Sequence, residues 1–214
     1  MINIGLVDDH IITRKGIKSI LELNNELSVI VEASNGIDLL NHLSNIDTLP
    51  DVIILDITMP LMNGVELIGN LTANFPHINT IVFSLLGEED TIIDMISRGA
   101  SGYVSKSSDP LILIEAIQHV FRYGFYLGDL VKKEYFTRHK GIKSPFGFYG
   151  KEILSPKEVR FVKLAASNKN YEEIASIMEI RPKTLENYRD KVFQKLGINN
   201  RAALAVYALK IGLV

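Results

Sequence analysis

Asp51-Val52-Ile53-Ile54-Leu55-Asp56-Ile57-Thr58-Met59-Pro60 decides the fold. Val52 to Leu55 are four apolar residues in a row, three of them β-branched, and read as a strand buried on both faces. The strand ends on a carboxylate, Asp56, and Pro60 then breaks any further ladder. Asn63-Gly64 supplies a turn. In open α/β sheets ligands lie beyond the carboxyl ends of the strands, so the pattern delivers one Asp to the place where such folds do chemistry. A core strand has no structural need to end in a charge.

Working outward, the same rhythm repeats on both sides. Ile2 to Val7 reads as a strand followed by Asp8-Asp9-His10. Ile11 to Leu23 reads as a helix with Ile12, Ile17, Ile20 and Leu21 near one face. Ser28 to Ala33 is a second strand, and Asn35-Gly36 leads into a helix through Leu43. Val65 to Asn74 is helical, Asn79 to Ser84 is a strand, and Glu88 to Arg98 is a helix stopped by Gly99. Gly102 to Ser105 is a short fifth strand ending on Lys106. Asp109 and Pro110 open a helix that runs to Tyr123 before Gly124. Five alternations of strand and helix predict an α/β fold, a doubly wound five-stranded parallel sheet of flavodoxin type.

The carboxyl ends of these strands carry Asp8 and Asp9, Asp56, Ser84 and Lys106. Three carboxylates in one crevice are costly: at ~4 Å each pair repels by about 4 kcal/mol at an effective dielectric of 20. A bound Mg²⁺ relieves this, because it takes hard oxygen ligands from one or two carboxylates and keeps waters. An Asp carboxylate can attack phosphorus and form an aspartyl phosphate, a transfer that needs positioning and charge neutralisation above all.

Composition separates the two ends of the chain. Of 214 residues, 47% are hydrophobic and 22% charged, an ordinary globular balance. Residues 1–150 carry 11 Lys+Arg against 18 Asp+Glu, and residues 151–214 carry 12 against 7. An acidic front and a basic back point to a metal or regulatory module joined to a polyanion binder. There is no Cys, which excludes disulfides, zinc-finger cysteines and thiol chemistry. No apolar run approaches the ~18–20 residues of a membrane span, and the start lacks the basic region of a signal peptide. The expected location is the cytoplasm.

Gly124 to Glu152 breaks the rhythm, with Gly128, Gly141, Gly147 and Gly150 between basic residues and four aromatics. Leu130 to Phe136 reads as a short helix, and a domain boundary falls near 141–151. Beyond it, Ser155 with Glu158 is a capping-box signature, and Pro156 suits the first helical position. That helix runs to Ala166 and buries Val159, Val162, Leu164 and Ala165 or near neighbours. Tyr171 to Met178, Pro182 to Leu196 and Asn200 to Ile211 are further helices, the first two joined by the tight turn Glu179-Ile180-Arg181. Four short helices on this plan give an all-α helix-turn-helix domain.

Two resemblances follow. Residues 1–123 resemble the receiver domain of bacterial two-component response regulators. Val7-Asp8-Asp9-His10, Asp56 with Met59-Pro60 and Gly64, Ser84, and Gly102-Tyr103 with Lys106 carry it. Residues 153–214 resemble the LuxR/NarL-type DNA-binding domain. Leu154-Ser155-Pro156-Lys157-Glu158, Glu173-Ile174-Ala175, Ile180, Thr184-Leu185, Tyr188, Val192, Lys195-Leu196-Gly197-Ile198, Asn200-Arg201 and Ala203 carry that one. The expected division is 1–124 receiver, 125–150 linker and 151–214 DNA-binding domain.

The resemblances imply roles. Asp56 accepts phosphoryl from a histidine kinase. Asp8, Asp9, Asp56 and the Thr58 carbonyl hold Mg²⁺, and Lys106 pairs with the phosphoryl group. Ser84 and Tyr103 form a switch pair, the hydroxyl moving to the phosphate and the ring turning inward. His10 is left without a role. Residues 182–196 form the recognition helix, which enters the major groove of double-stranded DNA from a homodimer. RNA polymerase is a candidate further partner. No enzymatic turnover is implied beyond self-phosphorylation and slow self-dephosphorylation.

On the recognition helix, Leu185, Tyr188 or Arg189, Val192 and Leu196 fall on the core side by their spacing. Lys183, Thr184, Glu186, Asn187, Asp190, Lys191 and Lys195 are the candidate DNA contacts. The lysines suit phosphates, Asn187 suits adenine, and a carboxylate can accept from cytosine N4. Here the chain departs from the family: the position after Thr184-Leu185 is commonly Lys and is Glu186, with Asp190 four residues on. Glu172 likewise replaces the usual base before Glu173. Two expectations follow: an unfamiliar or weak DNA site, or acids neutralised at helical spacing by Lys183, Arg189 or Lys191. A phospho-switched protein-interaction adaptor with a degenerate DNA-binding domain is the alternative function. An Asp-nucleophile phosphatase is a third, weakened by Thr58 where a second carboxylate is wanted.

Overall fold

A computed structural model describes residues 1–85, 88–128 and 154–214, with Glu89 described by its backbone alone. β1 (Ile2–Val7), β2 (Leu27–Ala33), β3 (Val52–Leu55), β4 (Asn79–Ser84) and β5 (Gly102–Ser105) form one sheet in the order β2-β1-β3-β4-β5. Every pairing is parallel. The order reverses between β1 and β3, and the crevice of a doubly wound sheet opens at such a switch point.

α1 (Ile11–Leu21), α2 (Gly36–Leu43), α3 (Gly64–Asn74), α4 (Glu89–Arg98) and α5 (Pro110–Tyr123) cover both faces. β3 explains why two layers are needed. Ile53 and Leu55 enter the core shared with α2, α3 and α4, while Val52 and Ile54 enter the core shared with α1 and α5. Successive strand residues point to opposite faces, so a wholly apolar strand must be covered twice. Caps set where the helices begin. Asn63 and Glu66 form a capping box on α3, and the Asp109 side chain accepts from Leu111 N with Pro110 at the first position of α5.

The chain continues in α6 (Pro156–Ala165), α7 (Tyr171–Ile177), α8 (Pro182–Leu196) and α9 (Arg201–Lys210). Ser155 and Glu158 do form the capping box read from the sequence, and Asn170 and Glu173 form a second. α7 and α8 are joined by a turn in which Glu179 adopts φ 56°, the left-handed region. α9 is buried almost all round, an arrangement made possible by its small alanines.

Two inner faces differ from their sequence reading. Ile12 is 88% exposed and Ile20 lies at the surface, so α1 buries only Ile17 and Leu21 and ends at Leu21. One edge of α1 is left uncovered by the sheet. In α6, Phe161 with Val162 and Ala165 forms the core, while Val159 and Leu164 are half-buried. The short helix expected over Leu130 to Phe136 and the boundary expected near 141–151 lie outside the described residues. No helix among the described residues is long and apolar enough to cross a membrane.

Candidate functional site

Asp8 follows β1 and Asp56 follows β3, and the two strands are hydrogen-bonded neighbours. The Asp56 amide extends that ladder by donating to Val7 O at 3.0 Å. The two carboxylates are thereby fixed side by side, at 2% and 6% exposure. Lys106 follows β5, and its amide donates to Ser84 O at 2.9 Å. Its Nζ reaches across to Asp8 Oδ2 at 2.8 Å and Asp56 Oδ2 at 2.6 Å. Burial alone would lower the Lys106 pKa. Hydrogen bonds to Asp56 and Asp8 outweigh it and hold the ammonium above its ordinary value. The ammonium is therefore a fixed positive charge between two buried anions.

The sequence-predicted residues Asp8, Asp9, Asp56, Ser84, Tyr103 and Lys106 all fall at this end of the sheet. Ligand atoms of Asp8, Asp9, His10 and Asp56 lie within 4.8 Å of one another. Asp9 Oδ1 is buried without a hydrogen bond, although His10 Nδ1 stands 2.9 Å away. Thr58 is exposed, with its amide 3.4 Å from Asp56 Oδ1. Ser84 is buried at the end of β4. Tyr103 is 1% exposed, its ring already inward, and its hydroxyl meets no partner in hydrogen-bond geometry although Ser84 faces it. Burial pushes that hydroxyl above its ordinary pKa.

Two contributors escaped the sequence reading. His10, set aside there, is the N-cap of α1, and its amide donates to Asp8 Oδ1 at 2.8 Å. Arg14 Nη1 donates to the Asp8 carbonyl at 2.5 Å. Its spacing six residues after Asp8, on the first turn of a helix, is the signal that could have revealed it. Beside the crevice a groove of about 260 Å³ is lined by Ile12, Gly16, Ile17, Phe83, Lys106 and Pro110.

The second candidate surface is α8. Leu185, Val192 and Leu196 are buried, and Tyr188 stacks edge-on against Phe161 at 5.8 Å. Lys183, Thr184, Glu186, Asn187, Asp190, Lys191 and Gln194 are exposed. Lys183 Nζ binds Glu186 Oε2 at 2.8 Å, and Arg189 Nε and Nη2 bind Asp190 Oδ1 at 2.9 and 2.8 Å. The neutralised form of the acidic helix is the one present. Lys195 is held elsewhere: its Nζ meets Glu158 Oε1 at 2.5 Å and ties α8 to the cap of α6. Arg201, 4% exposed, donates to the carbonyls of Ala165, Ser167 and Lys169 and so closes the carboxyl end of α6.

Known proteins match both ends of this geometry. The response regulator receiver domain family matches residues 4–118, and the luxR family of bacterial regulatory proteins matches residues 152–208. The transcriptional regulatory protein DegU of Brevibacillus brevis is 29% identical over 100% of this chain and 95% of its own length. Response regulator UvrY of Escherichia coli K12 is 29% identical over 100% and 96%. A solved complex of the two-component response regulator RcsB with DNA is 25% identical, with a TM-score of 0.58 over 98% of each chain. The chain therefore belongs to the response-regulator family, with a receiver domain ahead of a luxR-family regulatory domain.

Proposed function

We propose that this DNA-binding transcriptional regulator is switched by transfer of a phosphoryl group from a histidine kinase to Asp56. The observation that carries the reading is Lys106 Nζ, held between Asp8 and Asp56 at the mouth of a buried acidic crevice. The receiver is assigned to residues 1–124, the linker to 125–150 and the DNA-binding domain to 151–214. The groove along α1 beside Lys106 gives the kinase an apolar seat next to the acceptor.

The donor set suits a hard divalent ion. Asp9 Oδ1 is buried without a hydrogen bond, and three carboxylates converge, two of them on the Lys106 ammonium. Asp8, Asp9, Asp56 and the Thr58 carbonyl would hold Mg²⁺. When bound, it supplies charge neutralisation for phosphoryl oxygens. A carboxylate oxygen of Asp56 attacks phosphorus, and an O–P bond forms as the P–N bond to the donor histidine breaks. The bonding pair leaves with the imidazole. Lys106 exchanges its contact with Asp56 Oδ2 for one with a phosphoryl oxygen. The Ser84 hydroxyl donates to another, and the buried Tyr103 ring fills the space behind it. Water later returns the carboxylate slowly, and no outside substrate is turned over.

The RcsB–DNA complex supports double-stranded DNA as the partner of α8, and a homodimer is the form that reads paired half-sites. RNA polymerase is a further partner of such a regulator. A cytoplasmic location belongs to the same reading, since the DNA-binding family supports it. The adaptor reading rests on Glu172, Glu186 and Asp190, and the pairing of Glu186 with Lys183 and of Asp190 with Arg189 removes the two on α8 from that support.

Asp56→Asn tests the switch. Incubated with Mg²⁺ and either a histidine kinase or acetyl phosphate, the wild type takes up one phosphoryl group and binds its DNA more tightly. The variant does neither. Phosphoryl uptake with no change in DNA affinity would sink the switch and leave DNA binding standing.

A further inference from the structure

The exposed stripe of α8 has an unusual chemical character for a helix that meets nucleic acid. Lys183, Glu186, Asn187, Asp190, Lys191 and Gln194 lie at helical spacing on one face, all exposed. Their formal charges sum to zero. The rest of the domain is basic, so attraction to phosphate does not depend on this stripe. Two of its members, Glu186 and Asp190, are acceptors only when ionised. The Lys183 hydrogen bond holds the Glu186 carboxyl below its ordinary value, so it is ionised at neutral pH.

Each carboxylate is half engaged. Glu186 uses Oε2 for Lys183, and Asp190 uses Oδ1 for Arg189. Among the described residues Oε1 of Glu186 and Oδ2 of Asp190 take no hydrogen bond; Glu186 is open to solvent, and Asp190 lies at the rim of the cleft between α8 and the receiver. The neighbouring cations orient the carboxylates and cancel their repulsion for phosphates. Lys183 is itself 81% exposed, and so solvated a pair separates at little cost. Lys183 is thus free to turn to a backbone phosphate while Glu186 turns to a base. Arg189 is half-buried against the Tyr171 ring at 5.5 Å, which holds the Asp190 pair more firmly.

A carboxylate in the major groove needs a base-edge donor. Only cytosine N4 and adenine N6 offer one, whereas guanine O6 and N7 and thymine O4 present acceptors that repel it. We infer that Glu186 and Asp190 are specificity-determining residues that accept from cytosine or adenine amino groups. The inference rests on the DNA-binding reading of α8. Four helical residues span about 6 Å, so the two positions read lie roughly two base-pair steps apart. Where a lysine at 186 would select guanine, Glu186 selects the same pair in the opposite orientation, cytosine on the strand that is read.

The test is selection from a random duplex library with the full chain, Mg²⁺ and beryllofluoride, for the wild type, Glu186→Lys and Asp190→Asn. Wild type is expected to enrich half-sites with cytosine or adenine at two positions about two steps apart. Replacing the cytosine read by Glu186 with thymine should weaken binding about tenfold. Glu186→Lys should turn the preference at that one position from cytosine to guanine and leave the others alone. The inference is overturned if both variants bind every sequence more tightly by one common factor with the enriched bases unchanged, because the carboxylates would then only repel. It also falls if the wild type enriches a site made of guanine and thymine at the read positions. Absence of DNA binding by the wild type, even at low salt, overturns the DNA reading itself and the inference with it.

Discussion

At the scale of single residues, the crevice depends on a glycine as much as on its charges. Gly64 opens α3 directly behind Asp56. A Cβ there would stand 2.4 Å from the Asp56 carbonyl and 2.8 Å from Ile57 Cα. Both are backbone atoms, so the strand end must move rather than a flexible side chain. Gly64→Ala is expected to lose about 1–3 kcal/mol of stability, the usual range for overpacking. It should also slow phosphoryl uptake from acetyl phosphate, since Asp56 leaves its place beside Lys106. Urea unfolding and uptake rates equal to those of wild type would show that the loop yields freely. The charges themselves were legible from position alone: Asp8, Asp56, Ser84 and Lys106 each end a strand, where a buried sheet has no other use for them. Arg14 was not legible, because its contact is with a backbone carbonyl and one arginine in a helix looks like any solvated charge. His10 needed coordinates for another reason: only they place its imidazole beside the Asp9 carboxylate.

At the scale of elements, the sequence carried strands further than helix faces. Strand bounds were marked by β-branched runs and by the turn residues around them, and caps fixed helix starts. The inner faces of α1 and α6 were harder. Ile12, Ile17, Ile20 and Leu21 look equivalent by spacing, yet only Ile17 and Leu21 are buried, because α1 packs on the edge strand β2 and its neighbour β1. In α6 the capping box was readable, but its second use was not. Glu158 Oε2 accepts from Ser155 N at 2.6 Å while Oε1 holds Lys195 from α8. Burial alone would raise the Glu158 pKa. The Lys195 hydrogen bond and the cap outweigh it, so the pKa in the fold lies below the ordinary 4.5. A carboxyl with a depressed folded pKa adds stability that is full above its unfolded value and is lost as pH falls through the folded one. Glu158→Gln keeps a neutral acceptor for the cap and loses the ion pair. Because Lys195 is 43% exposed and solvent-screened, the loss at pH 7 should be about 1 kcal/mol or less. The gap between variant and wild type should close as pH drops below 4.5. Hydrogen exchange of α6 amides at both pH values measures it, and a gap independent of pH would refute the ion pair as its source.

At the scale of the whole molecule, Asn200 stands at the centre of the junction between the receiver and the C-terminal helices. Asn200 is the N-cap of α9, its Oδ1 accepting from Ala203 N at 2.7 Å. Its Nδ2 faces the receiver and donates to Ile96 O at 3.2 Å and Ala100 O at 3.3 Å, carbonyls at the carboxyl end of α4. His119 Nε2 with Asn168 Oδ1, and the Arg201 guanidinium over the Phe125 ring, flank the same junction. The junction leaves a cleft that reaches Arg189, Asp190 and Phe193, so the receiver stands against the flank of α8, the proposed recognition helix. A duplex seated on α8 would meet that wall. Asn200→Asp separates the two jobs of the residue. A carboxylate caps a helix as well as an amide does, so α9 should keep its stability. The same carboxylate has no donor for Ile96 and Ala100 and adds negative charge where the α4 dipole is already negative. Two hydrogen bonds worth about 0.5–1.5 kcal/mol each would be lost, enough to shift the docked equilibrium roughly five- to a hundredfold. Small-angle scattering of the unphosphorylated variant should then give a larger radius of gyration than wild type. Its DNA affinity should rise toward that of the phosphorylated protein, with the melting temperature little changed. An unchanged radius together with a lowered melting temperature would mean that Asn200 serves α9 alone, and that the hold of α4 on the DNA-binding domain lies in the apolar contacts around it.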